Sequence, residues 1–265
     1  MSIVLLYPAV GALAGVLAGL LGIGGGLVIV PMLTFAFSVQ GFAHEHILHM
    51  ALGTSLASIL FTSVSSLLSH HRRGAVIWPV VLKITPGILF GTFTGAWVAS
   101  MLSTNFLKGF FGIFLFYAAT QMLLGVKPKP SREIPGATGI FGVGTVIGVF
   151  SSLVGIGGGT LSVPFLIWCN TRIHSAIGTS AAIGFPIAFA GTLGYITSGL
   201  GLSSLPPMTL GYVNLGALAG IAAASVVTAP LGARLAHSLP IDKLKRVFAL
   251  LLYLVGSRMI LSVFF

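Results

Sequence analysis

Apolar and polar positions divide the chain into eight long apolar blocks joined by short polar connections. The blocks run roughly over 3–37, 47–69, 75–102 and 106–124, then over 136–169, 174–198, 207–236 and 243–264. Within each block the apolar run is continuous rather than alternating, which predicts helices and not half-buried strands. Three blocks in each half have about the length of one membrane-crossing helix. The first block of each half is longer and is interrupted by the sequence GIGGG, at 22–26 and again at 155–159. Each glycine in a helix interior costs about 1 kcal/mol relative to alanine. Each interruption therefore predicts a break flanked by two helical arms.

The two halves repeat one unit. GIGGGLVIVP from residue 22 matches GIGGGTLSVP at an offset of 133. HMALGTS, from His49, matches HSAIGTS, from His174, at an offset of 125. Gly95, Ala99, Leu102, Leu107 and Lys108 match Gly232, Ala236, Leu239, Leu244 and Lys245 at an offset of 137. Ordered matches along the whole length are the mark of a duplicated unit. They divide the chain into a first membrane repeat, 1–125, a cytoplasmic linker, 126–135, and a second membrane repeat, 136–265.

Composition narrows the class. Charged residues are only 6% of the 265 and the mean hydropathy is +1.08, against about 25% charged residues in a soluble domain. In hydrocarbon every backbone polar group must bond within the protein, which leaves helices or closed barrels. The continuous runs select helices. The formal charge of +10 comes from 13 Lys and Arg against 3 acids, and most of the cations sit in short loops. They are read as topology signals, with no nucleic acid as partner. The opening MSIVLLYPAV has no basic n-region and is read as part of the fold rather than as a signal peptide. The single Cys169 forms no intramolecular disulfide.

The same cations decide how the broken blocks lie. If all eight blocks cross once, Arg72, Arg73, Lys83, Lys127, Lys129, Arg132 and Arg258 oppose Lys108, Arg172, Arg234, Lys243, Lys245 and Arg246, seven against six. If each GIGGG block enters and returns on one side, only Lys108 and Arg258 are separated from the other eleven. The second distribution is the cytoplasmic bias that insertion imposes. The expected fold is thus an all-α polytopic membrane protein of two inverted repeats, each with three spanning helices and a re-entrant helical hairpin broken at GIGGG. Both termini then lie outside the cytoplasm, in an inner (plasma) membrane, and the glycine tips approach each other near the midplane.

Candidate chemistry gathers at those tips. Gly24, Gly25, Gly26 and Gly157, Gly158, Gly159 precede second arms whose N-terminal N–H groups and dipoles favour an anion. Pro31 and Pro164 match between the halves and free the carbonyls of Leu27 and Thr160. Thr54, Ser55, Thr179 and Ser180 of the two GTS motifs add neutral hydroxyl donors for an oxyanion. Beyond them Ser58, Thr62, Ser65 and Ser69 continue a polar stripe, best read as hydroxyls bonding their own i−4 carbonyls. His49 and His174, one turn before each GTS, are candidates for coupling or anion contact, since histidine titrates near neutral pH. Arg258 is a further candidate for anion contact. The glycine ladders Gly11-Gly15-Gly19, Gly87-Gly91-Gly95 and Gly216-Gly220 are read as helix-packing faces.

The only acids, Glu45, Glu133 and Asp242, fall in predicted loops, which argues against a cation carrier built on a buried carboxylate. HEHILHM lacks the HExxH spacing, so no metal is expected, and nothing calls for a cofactor. A membrane-embedded Ser/His hydrolase is compatible with the composition, but no nucleophile motif supports it. A carrier and a channel for anions could use the same tips.

Taken in order, the duplicated GxGGG-x4-P element, each copy followed by a GTS helix, resembles the sulfite exporter family TauE/SafE over essentially the whole chain. The resemblance implies no enzyme but a secondary transporter, an exporter of small sulfur-containing anions such as sulfite, organosulfonates or sulfoacetate. Its partners would be that anion and the lipid bilayer, with no oligomeric state implied. It places the tips Gly24 to Gly26 and Gly157 to Gly159 at the anion. The residues by themselves reach "anion"; the resemblance supplies "sulfur".

Overall fold

The chain's computed structural model describes residues 3–21, 25–124, 131–235 and 241–264. In the first half the helices are α1 (Ile3–Leu21), α2 (Gly26–Val39), α3 (His44–His71), α4 (Trp78–Met101) and α5 (Thr104–Leu124). The second half has α6 (Ala137–Val154), α7 (Gly159–Trp168), α8 (Ile173–Gly199), α9 (Leu215–Leu235) and α10 (Ile241–Phe264). Two short strands, β1 (Thr209–Leu210) and β2 (Val213–Asn214), pair antiparallel in the connection before α9. The chain is therefore an all-helical membrane protein in which both long blocks break where the glycines lie.

Each broken block folds back on itself. The Gln40 amide, just past α2, donates to the Tyr7 hydroxyl near the start of α1, 2.8 Å away. In the second half the Trp168 indole, at the end of α7, donates to Ser131 Oγ, 2.8 Å away and ahead of α6. The N–H groups of Ser131 and Arg132 also bond the Trp168 carbonyl, and the Arg132 guanidinium lies 5.8 Å from the Trp168 ring centre. Both hairpins thus close at their open ends. Among the described residues seven helices are long and apolar enough to cross a membrane: α3, α4, α5, α6, α8, most of α9 and most of α10. That is one more than the three per half expected. The extra one is α6, the first arm of the second hairpin, which at 18 residues is about 27 Å long.

The two halves interlock rather than sit side by side. α1 packs along α9, and α6 packs along α4. These are the tightest faces, built on glycine. A Cβ on Gly11 or Gly15 would run into the backbone of Ile221 or Ser225, and one on Gly87, Gly91 or Gly95 into Phe141, Thr145 or the Ser152 and Val149 pair. The glycine ladders are packing faces, as expected. Gly216 is the exception: its nearest foreign atom is Asn214 Oδ1 at 3.6 Å, so it lies at the start of α9 and not in a helix contact.

The register of these contacts gives the helix directions. Residues rise together along α1 and α9 and along α4 and α6, so each pair runs parallel. They run opposite ways along α3 and α8, where Gly53 meets Tyr195 and Gly191 meets Leu56, and along α5 and α10, where Gly112 meets Ile260 and Thr120 bonds Tyr253. α3 and α8 are the most buried of the candidate spans. Large side chains such as Leu82, Phe90, Trp97, Ile113, Val146, Val227 and Leu254 are exposed on the outer helices, which is the surface a bilayer covers rather than water.

Candidate functional site

Gly25 and Gly158 cap the N-termini of α2 and α7 with φ 76° and 77° and ψ −9° in both. That left-handed conformation is one side chains rarely adopt, and it turns each chain sharply from tip to helix. The tips also touch. A Cβ on Gly26 would overlap the carbonyl oxygen of Gly155 and come 2.9 Å from the Ile156 Cα. Gly157 and Gly159 are buried beside them, whereas Gly24 lies outside the described residues.

The GTS hydroxyls are engaged by the protein itself. Ser55 donates to the carbonyl of Gly155 in the other half's tip, 2.8 Å away. Ser180 shares a 2.7 Å hydrogen bond with Ser162, whose hydroxyl also reaches the Gly158 carbonyl at 3.0 Å. Thr54 Oγ1 accepts the N–H of Asn214 (2.9 Å), and Thr179 Oγ1 accepts the N–H of Ile77 (3.0 Å). Asn214 and Ile77 precede α9 and α4, which hold equivalent places in the repeat. Each GTS threonine therefore supports the start of a helix in the opposite half, and each GTS serine supports a tip.

Other hydroxyls line the space beside the second tip. A small cavity of about 10 Å³, room for about one water, lies between Ala18, Thr62, Ser63, Ser66, Gly157 and Gly184. Thr62 is held by Ser58 and by Ser225 Oγ, 2.6 Å away, and Ser63 donates to Leu60. Ser66 Oγ, however, is buried without a hydrogen-bond partner, as are Ser151 Oγ and Thr160 Oγ1 around α6 and α7. Leaving a buried hydroxyl unpaired costs about 1–3 kcal/mol. The hydroxyls of Ser63, Ser66, Ser151, Thr160 and Ser225 were not singled out from the sequence, although Ser66 lies four residues after Thr62 and so shares its face. Ser58, Thr62 and Ser69 bond i−4 carbonyls, as read from the sequence, but Ser65 instead donates across to Val226.

His49 is buried, 3% exposed, and faces a wider cavity of about 390 Å³ at the end of the bundle where α3 begins. His44, His46, Ser103, Asn105 and Tyr212 share that cavity. The ammonium of Lys108, 6% exposed, donates to His44 Nε2 at 3.0 Å behind it. Burial pushes the Tyr212 phenol above its ordinary range, with the Glu45 charge adding to the effect, so it remains a neutral donor. His174, the counterpart of His49, is exposed at the start of α8. Arg258 is also exposed and lies over the Phe35 ring of α2, 5.0 Å from its centre, not on the cavity lining. Among the described residues no group of three or more His, Cys, Asp and Glu could hold a metal ion.

Similarity to known proteins decides the family. The sequence profile described as Sulfite exporter TauE/SafE matches residues 7–259, from the first arm of the first hairpin to the last turns of α10. The chain belongs to the sulfite exporter TauE/SafE family. A Haemophilus influenzae relative named "Probable membrane transporter protein" is 38% identical over 263 residues, covering 98% of this chain and 99% of its own. A relative from Methanocaldococcus jannaschii, also named a probable membrane transporter, is 28% identical over 257 residues, 95% of this chain and 93% of its own. One from Bacillus subtilis with a similar name is 30% identical over 220 residues, 75% of this chain and 80% of its own. No solved structure matches the chain. Membership agrees with the resemblance carried by the duplicated glycine and GTS motifs, and makes the chain a member of a membrane transporter family.

Proposed function

We propose that this protein is a secondary transporter that exports small sulfur-containing anions such as sulfite, organosulfonates or sulfoacetate across the plasma membrane. The observation that carries the reading is the set of buried, unpartnered hydroxyls of Ser66, Ser151 and Thr160 around the N-terminus of α7. Hydroxyl donors and helix-start N–H groups are the chemistry an oxyanion requires, and they hold it without a fixed counter-charge that would prevent release. The anion would lie against Gly157 and the first turn of α7, with Gly25 and Gly26 closing the site from the other half. Thr54, Ser55, Thr179 and Ser180 then act as the struts that hold the tips.

The cavity of about 10 Å³ is too small for sulfite, so the conformer described is a closed one. Loading requires the hairpins to separate. An inverted arrangement supplies that motion, since rocking one set of helices against the other exposes a central site alternately. The antiparallel runs of α3 with α8 and of α5 with α10 support such an inversion, as do the crossed pairs α1 with α9 and α4 with α6. Both termini would lie outside the cytoplasm.

A hydrolase reading gains nothing from the geometry. His46 Nε2 does lie 2.8 Å from Ser204 Oγ, but the Glu45 carboxylate approaches the same nitrogen at 3.3 Å. In a serine–histidine–acid triad the acid holds the opposite ring nitrogen.

The test is binding of sulfite, sulfoacetate, sulfate, chloride and acetate to purified protein by thermal shift and calorimetry, with Gly158→Leu and Ser66→Ala alongside. Saturable binding of a sulfur oxyanion, weakened in both variants, is expected. Binding of no anion by folded protein would overturn the reading.

A further inference from the structure

His49 is surrounded by acceptors on both sides of its ring. Nδ1 lies 3.1 Å from the Glu45 carbonyl, and Nε2 lies 3.1 Å from the Ala99 carbonyl and 3.0 Å from that of Leu102. A neutral imidazole has one N–H and one lone pair. In either neutral tautomer, a ring lone pair would face a carbonyl oxygen at hydrogen-bond distance. Only the imidazolium, with an N–H on each nitrogen, satisfies all three contacts.

A helix end and an aromatic face favour that charge, against the cost of burying the ring. Ala99 and Leu102 are the last turn and cap of α4, the negative end of its dipole. The Tyr212 ring stacks on the imidazole with centroids 5.2 Å apart, an arrangement that attracts a cation. The other ionisable groups nearby come from three elements. On α3, His46 lies one turn back, and its Nε2 is 3.3 Å from the exposed Glu45 carboxylate. On α5, Lys108 is turned to His44, and Thr104 donates to the same Glu45 carbonyl. The strand connection brings Tyr212. α4 contributes carbonyls only, since its one ionisable residue, Lys83, sits near its other end.

We propose that His49 is a proton-binding site of the carrier, and that its imidazolium clamps α3 to the C-terminal end of α4 in this conformer. Releasing the Nε2 proton to water in the cavity of about 390 Å³ leaves a lone pair against the Ala99 and Leu102 carbonyls and opens the clamp; taking it back from that water closes it. In the second half His174 is exposed, so the two matching rings have different surroundings. That the proton moves in step with the anion rests on the transporter reading; that His49 is protonated does not.

The sign follows from linkage: a histidine that gains partners when charged stabilises the folded state at low pH and loses that contribution as pH rises. ¹⁵N-histidine NMR of protein in nanodiscs at about pH 7 is expected to show one ring with both nitrogens protonated. That signal should be missing in His49→Gln and kept in His71→Gln. The glutamine can donate to α4 but cannot titrate. The wild-type advantage in melting temperature over His49→Gln should therefore be largest near about pH 5 and vanish by about pH 8. Should His49→Gln not fold, titration of the same resonance in His71→Gln and His174→Gln replaces it. A neutral His49 throughout this range, or a pH-independent difference, overturns the site. In proteoliposomes given a sulfite gradient, proton flux should accompany sulfite flux and fall at least about tenfold in His49→Gln. Sulfite flux with no proton flux in wild type overturns the coupling. Absence of any anion flux would instead undo the transporter reading and leave the protonation result standing.

Discussion

Ser55 donates its hydroxyl hydrogen to the carbonyl of Gly155, 2.8 Å away and 100 residues further along the chain. The donor sits in the middle helix of one half and the acceptor in the glycine tip of the other. Gly155 ends α6 in the left-handed conformation, φ 66° and ψ 38°. The bond thus fixes the point at which the second hairpin turns. Water has no access there, since Ser55 is fully buried.

Ser55→Ala leaves that carbonyl without the hydroxyl in a buried setting, and should cost about 1–3 kcal/mol of stability. Thermal unfolding in detergent measures it. A melting temperature equal to wild type would show that the tip is held by something other than this bond.

Gly26→Ala should be far more damaging than its small size suggests. The added methyl meets the backbone of Gly155 and Ile156, which cannot rotate out of the way as a side chain could. Gly109→Ala, on α5, meets nothing within 4 Å and should be neutral or stabilising by up to about 1 kcal/mol. Expression level and size-exclusion profile of the two variants, measured together, separate a tip effect from a general glycine effect.

Ser66→Ala gives the opposite pattern. Its hydroxyl has no partner to lose, so stability should hold or rise, by up to about 1–3 kcal/mol. Affinity for a sulfur oxyanion should fall about tenfold, the loss of one charge-assisted hydrogen bond. Lost stability with unchanged affinity would remove Ser66 from the site.

The hairpins can be placed against the membrane by labelling single cysteines in a Cys169→Ala background. Ser38 and Asn105 are exposed at one end of the bundle, Arg73 and Ser131 at the other. Impermeant maleimide should reach Ser38→Cys and Asn105→Cys from outside intact cells, and Arg73→Cys and Ser131→Cys only after permeabilisation. Asn170→Cys, exposed just past α7, should react on the same side as Ser131→Cys; reaction of these two from opposite sides would restore eight simple crossings.

Much of this could be read in the sequence because it depends on local chemistry. Gly25 and Gly158 announce their backbone turns, and the charge count anticipates that the chain returns at Gln40 and Trp168. What stayed hidden depends on which faces meet. Thr54 and Thr179 are equivalent in sequence, but only the packed halves show that each accepts an N–H from the other half. The polar stripe on α3 is another case. At 3.6 residues per turn, Ser65 and Ser66 continue it equally well. Packing turns Ser66 to the cavity and Ser65 to the Val226 carbonyl. His49 could be picked out as titratable, but two of its three carbonyl partners lie 50 and 53 residues away, on a helix end that no local pattern connects to it.

The crossed pairing of α1 with α9 and α6 with α4 has a consequence for how the protein is made. When the first half leaves the ribosome, the glycine face of α1 has no surface to lie on until α9 follows, some 200 residues later in the chain. The first hairpin must wait in the bilayer in a provisional setting. By the same logic, a polypeptide of half this length could not bury its own first arm. An ancestral half-length protein would have needed a second copy of itself, each lending its hairpin to the other, before gene fusion joined the two.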